Sequence, residues 1–351
     1  MSREVCKILF AVFSGVILIV AVHFFITAER SAAPIELDSG YRQLMGTFTR
    51  VVAVAPDAET AKKSIDAAFK QFQQIESLMS WRKPDSEIAC VNRDAYAGPV
   101  KVSSLTFEVL QKSVEFSRLS EGAFDITVGP LMDLWRSAQD ANCVPTDAEL
   151  KQANSKVGFE KLILDANEKT IRFVVDGMRL DLGAIAKGYA VDKAVEAMQK
   201  AGVLGGMVDA GGNIRCFGVP PKGKTHWLIG LQDPNVMDEQ MKAGQTILTL
   251  KFTDNAVATS GDYRRFVVVG GQRHSHIINP ATGQSSDSLA SVTIICPSAT
   301  DADALSTAVT VMGREKGLAL IERVPSAEAI LITPAPEFRQ IRTKGVERFI
   351  K

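Results

Sequence analysis

Asp303 and Thr307 stand four residues apart in a stretch, Asp301 to Met312, whose pattern predicts a helix. Residues at that spacing share one helical face, so a carboxylate and a hydroxyl point at one object. An all-oxygen pair of this kind suits Mg²⁺, a hard cation that also keeps waters and takes substrate phosphate oxygens. The competing reading is helix capping, in which Asp301 or Asp303 accepts backbone N–H groups at the first turn. Spacing alone favours the cap.

A denser concentration of chemistry lies between Arg179 and Met198, RLDLGAIAKGYAVDKAVEAM. It begins as an apolar strand end, Leu180 to Leu182, and breaks at Gly183. It resumes as a helix with Val191, Ala194, Val195 and Met198 at buried spacing. A strand end, a turn and a helix start leave backbone groups free to meet a ligand. Asp181, Lys187, Gly183 and Gly188 all sit at that break. Lys187 could neutralise an anion or pair with Asp181; a solvated surface lysine is the plainer alternative. Neither this junction nor Gly211-Gly212 in Asp209-Ala210-Gly211-Gly212-Asn213 matches the dinucleotide GxGxxG or the phosphate-loop GxxxxGK[ST]. Both could still offer N–H groups to phosphate.

His274 and His276 share a face if they lie on a strand. A zinc pair lacks a third ligand of convincing spacing. A single histidine acting as base or hydrogen-bonding group fits at least as well. The nucleophile elbow GxSxG and the zinc motif HExxH are both missing from the sequence.

These residues need a scaffold. Thr47 to Val54 reads as a strand, and Ala58 to Met79 as an amphipathic helix with Ile65, Ala68, Phe69, Phe72, Ile75 and Met79 on one face. A polar turn, Ser80 to Ser86, carries Trp81, which is either plain core or a stacking surface. A second helix is expected over Ser103 to Ser117, a short helical turn over Leu131 to Trp135, and a helix begun near Pro145. Leu162 to Leu164, Ile171 to Val175 and Met178 to Leu182 read as short strands, the last two joined in a hairpin at Asp176-Gly177. Strands are expected at Met207 to Ala210, Trp227 to Leu231, Ile247 to Phe252 and Ala256 to Ser260. A hairpin of Arg264 to Val269 and Gln272 to Ile278 follows, then strands at Leu289 to Cys296, Ala329 to Thr333 and Val346 to Ile350. Short strands interrupted by helices predict an α/β protein of the α+β type, with mixed, largely antiparallel sheets and packed helices.

Composition narrows the function classes. Forty basic residues balance forty acidic ones in the 351-residue chain, and no basic block with interleaved aromatics occurs, so a nucleic-acid partner is not expected. Five dispersed cysteines without a CxxC, and four histidines, argue against a structural zinc site. The run Ile8 to Ile26 is almost purely apolar and follows Arg3 and Lys7. It predicts a single transmembrane helix with the rest of the chain outside the cytoplasm. A cleaved signal peptide ending near Ser31-Ala32-Ala33 is the rival, but the run is long for a signal core. The expected organisation is a membrane anchor over residues 1–28, a linker over 29–40 and one catalytic domain over 41–351. In a bacterium this places the enzyme in the inner membrane, facing the periplasm.

The ordered set of motifs resembles the ApbE family, the FAD:protein FMN transferases. It comprises Met45-Gly46-Thr47, Ser80 to Ser86, Gly122-Ala123-Phe124-Asp125 with Val128-Gly129-Pro130, and Leu180 to Ala190. It continues with Asp209 to Asn213, His276-Ile277-Ile278-Asn279-Pro280 with Thr282-Gly283, and Asp303 to Thr307. The family often reads HIIDP where this chain has Asn279 in HIINP. The resemblance implies an ApbE-like fold and transfer of the FMN half of FAD to a threonine or serine hydroxyl of a flavin-acceptor protein, a membrane redox-complex subunit or an extracytoplasmic flavin-carrying domain, with Mg²⁺ required and AMP released. It implies that Met45, Trp81, Ala123, Phe124, Asp125, Asp181, Lys187 and Ile278 line FAD. It also implies a metal held by the Ala184 carbonyl, the Asp303 carboxylate and the Thr307 hydroxyl, and His276 as base or positioning group. Two other outcomes share these residues: an Mg²⁺-dependent FAD pyrophosphatase giving FMN and AMP, and a flavin-binding protein without turnover.

Overall fold

The computed structural model describes residues 33–234, 246–261 and 266–351. Its centre is an eight-stranded sheet in the order β1-β2-β6-β7-β10-β13-β14-β15. These are β1 Ile35–Leu44, β2 Thr47–Ala55, β6 Gly205–Ala210, β7 Asn213–Gly218, β10 Asn255–Gly261, β13 Ser291–Cys296, β14 Glu328–Ile332 and β15 Gln340–Arg342. Every neighbouring pair in it is antiparallel. Two tight turns bring the first four strands together. Met45 and Gly46 have φ 51° and 67°, and Gly211 and Gly212 have φ 65° and 94°. Two positive φ values in succession match the twist of a two-residue hairpin, which is why glycine recurs there.

The strands alternate between two cores. Val51, Ala53 and Ala55 join one hydrophobic cluster, while Val52 and Val54 join another on the opposite face. The first face is covered by helices α1 Ala58–Met79, α3 Ser104–Leu119, α6 Ala186–Lys200 and α7 Ala299–Glu322. In α1, Asp57 accepts the Thr60 N–H at 2.8 Å as N-cap, and all six residues of the expected apolar face are buried. The second face is covered by the hairpin of β8 Trp227–Leu231 and β9 Leu248–Phe252. A third cluster gathers around α4 Gly129–Ala141 and α5 Asp147–Asn154.

Several elements depart from the sequence reading. The tether expected up to Gly40 is already strand from Ile35, the edge of the main sheet. Helix α2, Glu87–Asp94, capped by Ser86, was not expected, and α4 is much longer than a helical turn. The three-stranded sheet of β3 Val100–Lys101, β5 Thr170–Phe173 and β4 Leu162–Asp165 does not continue into Met178 to Leu182. There the side-chain amide of Asn92 replaces a strand neighbour, accepting from the Leu180 N–H at 2.7 Å and donating to its carbonyl at 3.0 Å. Val346 to Ile350 is not a strand; Lys344–Phe349 winds as a 3₁₀ helix. The hairpin of β11 Phe266–Val269 and β12 Gln272–Ser275 ends before His276.

The expected membrane anchor requires correction. Among the described residues no helix is long and apolar enough to cross a membrane. The two longest, α1 and α7, are interrupted by charges such as Lys62, Lys63 and Asp66, and Arg314, Glu315 and Lys316. Ile8 to Ile26, on which the transmembrane helix was expected, lies outside the described residues. The transmembrane helix, the inner-membrane, periplasm-facing location and the anchoring to the membrane through the N-terminus are therefore withdrawn.

Candidate active site

A cavity of about 1000 Å³ opens beside the main sheet. Its lining is drawn from the β1–β2 turn, the end of α1, the segment before α4, the start of α6, the segment after β12 and the first turns of α7. The twelve residues that the resemblance implicates all line it: Met45, Trp81, Ala123, Phe124, Asp125, Asp181, Ala184, Lys187, His276, Ile278, Asp303 and Thr307.

The deepest chemistry lies where α6 meets α7. Asp303 is 5% exposed. Its Oδ2 accepts the Gly188 N–H at 2.9 Å and lies 3.6 Å from Lys187 Nζ. Lys187 Nζ also donates to the Gly183 carbonyl at 2.7 Å, closing the turn before its own helix. It does not pair with Asp181, whose Oδ1 instead accepts the Gly183 N–H at 2.8 Å. The capping alternative for Asp303 falls away. Ser298 caps α7 by accepting the Asp301 N–H, while Asp303 reaches across to another helix.

Gly188 is required at this crossing. A Cβ there would stand 2.2 Å from the Ala299 carbonyl oxygen and 2.8 Å from Asp303 Cβ. Gly211 plays the same part at the β6–β7 turn, where a Cβ would meet Thr47 Oγ1 at 2.1 Å. Neither glycine is a phosphate-loop residue by motif. At Gly188 a backbone approaches too closely for a side chain, whereas at Gly211 a positive φ of 65° and the Thr47 side chain exclude one.

The donors available to a cation fit a hard metal. Asp303 and Thr307 lie one turn apart on α7, and both line the cavity with Ala184. A carboxylate, a hydroxyl and a carbonyl make an all-oxygen set that leaves room for water and phosphate oxygens, as Mg²⁺ requires. Among the described residues there is no cluster of three or more His, Cys, Asp or Glu side chains able to hold a metal. A set with one carboxylate is not of that kind.

Asp125 is buried, and its carboxylate is turned to structural use. Oδ1 accepts from Thr127 N–H and Oγ1 at 2.8 and 2.7 Å, and Oδ2 accepts from the Phe159 N–H at 2.9 Å. Burial pushes its carboxyl above the usual range, opposed by these hydrogen bonds. Phe124, beside it, packs edge-on against Phe116. Met45 is anchored through its N–H to Glu76 Oε1 at 3.2 Å. Trp81 is half-buried and ringed by guanidinium groups, with Arg136 at 4.3 Å, Arg82 at 4.6 Å and Arg179 at 5.9 Å from the ring centre. Asp133 holds Arg136 and Arg179 together.

The two histidines separate. His274 packs tilted against Trp135, ring centres 4.9 Å apart, and does not line the cavity. His276 does, because β12 has ended and the chain has turned. The zinc-pair alternative therefore has no geometry. Ile278 follows with 6% exposure and a bridge to Ser285. Asn279 Oδ1 accepts the Ala281 N–H at 2.9 Å, forming a local turn.

An ApbE family profile matches residues 45–331, most of the chain and all of this cavity's motifs. The chain belongs to the ApbE family. It is 33% identical over 297 residues to an FAD:protein FMN transferase of Vibrio cholerae, covering 84% of this chain and 86% of that one. It is 34% identical over 311 residues to another of Treponema pallidum, with 84% of each covered. In three dimensions it is similar to the ApbE protein of Thermotoga maritima, with a TM-score of 0.79 and 30% identity over 91% of this chain and 99% of that one. The flavin transferase ApbE of Vibrio cholerae gives a TM-score of 0.75 with 29% identity, covering 90% and 99%.

The sequence reading missed what supports these residues. Glu76, Asn92, Arg136 and Arg179 reach the site region from four separate segments. None has a spacing that marks it, since each is brought to its partner only by the fold. The glycine at 188 was visible, but not the reason for it.

Proposed function

We propose that this ApbE-family chain binds FAD in the cavity and, with Mg²⁺, transfers its FMN half to a threonine or serine hydroxyl of a flavin-acceptor protein. The product is a phosphoester, and AMP is released. The chain is an enzyme of the FAD:protein FMN transferase type, supported by its family and by relatives so named at 33% and 34% identity over 84% of its length. The observation that carries the finer reading is the junction of α6 and α7. There Asp303 accepts the Gly188 N–H and lies 3.6 Å from Lys187 Nζ, and Asp303 and Lys187 line one cavity with Ala184, Thr307 and His276.

The roles follow from that junction. Ala184, Asp303 and Thr307 would hold Mg²⁺, which when bound supplies charge neutralisation at the FAD diphosphate and at the departing adenylate. Lys187, fixed by the Gly183 carbonyl and Asp303, adds a cation that needs no reorganisation as charge develops. The acceptor hydroxyl oxygen forms a bond to the FMN phosphorus. The bond from that phosphorus to the bridging oxygen breaks, and AMP leaves with the electron pair. A ring nitrogen of His276 takes the hydroxyl proton, which suits a neutral imidazole. Met45, Trp81, Ala123, Phe124, Asp181 and Ile278 line the flavin nucleotide. Asp125 supports that wall through its bonds to Thr127 and Phe159.

The deciding measurement is mass spectrometry of an acceptor protein after incubation with the full-length chain, FAD and Mg²⁺. An FMN adduct on a threonine or serine is expected. Free FMN and AMP without an adduct would make the chain a pyrophosphatase. FAD bound but unchanged would make it a binding protein.

A further inference from the structure

Asp192 lies one turn beyond Gly188 on α6 and is 7% exposed, yet it touches nothing in the cavity. Its carboxylate is spent on the start of α7. Oδ1 accepts the Ala299 N–H at 3.0 Å, and Oδ2 accepts the Thr300 N–H at 2.9 Å. Oδ2 also accepts Thr300 Oγ1 at 2.6 Å and Ser298 Oγ at 2.9 Å. Arg215, from β7, donates to Oδ1 at 2.7 Å. Helix α7 therefore has two N-caps: its own Ser298 and a carboxylate from another helix, at the positive end of its dipole.

The pairing has a register. Asp192 meets residues 299 and 300, and Gly188 meets residues 299 and 303. Both residues of α6 thus meet Ala299, and Gly188 alone reaches Asp303. Ala184 precedes α6, in the turn that Lys187 closes on the Gly183 carbonyl, and lines the cavity together with Asp303 and Thr307. The turn carrying Ala184 therefore leads into the helix that Asp192 and Gly188 fasten to α7, the helix carrying Asp303 and Thr307.

We propose that Asp192 is a positioning residue for the metal site, fixing the separation between the Ala184 carbonyl and the Asp303–Thr307 face. This rests on Ala184, Asp303 and Thr307 being the metal donors. A carboxylate accepting four hydrogen bonds from one helix end locks both its rotation and its advance along α6. An amide in its place must turn an NH₂ group toward N–H and hydroxyl donors, so the helix end shifts and the donors lose their spacing. Outer partners of metal ligands commonly affect affinity by about 10–100-fold.

The test is calorimetric titration of Mg²⁺ alone into the full-length protein, with FAD affinity in EDTA measured alongside by flavin fluorescence. Asp192→Asn is expected to weaken Mg²⁺ binding by about 10–100-fold while metal-free FAD affinity stays at the native value. Thr300→Val removes a single bond to Asp192 and leaves the backbone caps, so it keeps the fold accessible if Asp192→Asn does not fold. It is expected to weaken Mg²⁺ by a few-fold. Native Mg²⁺ affinity in both variants overturns the proposal, as does equal loss of metal-free FAD binding, which would indicate general disorder of the domain. Absence of Mg²⁺ binding by the unaltered protein overturns the donor assignment itself, and is told apart because it needs no variant.

Discussion

The Gly188 N–H donates to Asp303 Oδ2 at 2.9 Å, joining residues 115 positions apart in the sequence. This bond brings the helix that begins within the DLGAIAKG junction against the helix carrying Asp303 and Thr307. It also explains why a buried carboxylate next to Lys187 does not serve as a simple helix cap.

Gly188→Ala should separate α6 from α7. The new methyl would meet backbone, the Ala299 carbonyl oxygen at 2.2 Å, which cannot swing aside as a side-chain tip can. Overpacking of this kind costs about 1–3 kcal/mol and occasionally more. Chemical denaturation should show that loss, and Mg²⁺ affinity should fall with it.

Asp303→Ala should abolish Mg²⁺-dependent transfer, with a fall in rate on the order of 100-fold or greater. It also leaves the Gly188 N–H without its acceptor, at a cost of about 1–3 kcal/mol. Asp303→Asn keeps an acceptor and removes the charge. If both variants lose activity while only the alanine loses stability, the carboxylate is the metal donor. Native activity in Asp303→Asn would refute that.

His276→Ala should lower transfer by about 10²–10⁴-fold, the span of general-base contributions, with FAD affinity retained. Single-turnover flavin transfer compared with fluorescence binding separates the two effects. An unchanged rate would remove His276 from proton transfer.

Asn279→Asp, the residue the family often carries, should change rate by no more than about three-fold, the range of a substitution that disturbs no packing. Asn279 uses its Oδ1 to accept the Ala281 N–H, and an aspartate oxygen does the same. A large gain in activity would show that charge, not turn geometry, matters there.

Asp38 gives the edge of the sheet a pH dependence. Its hydrogen bonds from Arg50, with Nε at 3.1 Å from both oxygens, hold the carboxyl below its ordinary 3.8, opposed by partial burial. A folded value below the unfolded one means the stabilisation is present above 3.8 and is lost as pH falls through the folded value. Both side chains are more than a third exposed, so the pair contributes about 0.5 kcal/mol or less. Thermal melts of Asp38→Asn should lie slightly below native at neutral pH and converge with it in acid.

Much of this molecule was legible in the chain. The face of α1 and the buried positions of α6 follow from helical periodicity, because burial on one side leaves a repeat that composition cannot hide. The glycines at Met45-Gly46 and Gly211-Gly212 were visible, but the hairpins they close were not read from the sequence. Strand β1 was not, since an edge strand exposed along most of its length carries no alternation. The 3₁₀ turn at the C-terminus reads like a strand because five residues are too few to separate the two periods.

The sequence by itself determined which residues could act: the motif set, the helical step from Asp303 to Thr307 and the glycines at the DLGAIAKG break. Those are local properties, carried by residue type and short spacing. Only the tertiary structure decided what each one does there. It sent Asp303 to Gly188 and not to its own helix end, turned His274 onto Trp135 while leaving His276 at the cavity, and spent Asp125 on Thr127 and Phe159. It also put Asp192 beneath α7. Such choices depend on which backbones come within hydrogen-bonding distance, and no short-range pattern in the chain encodes that.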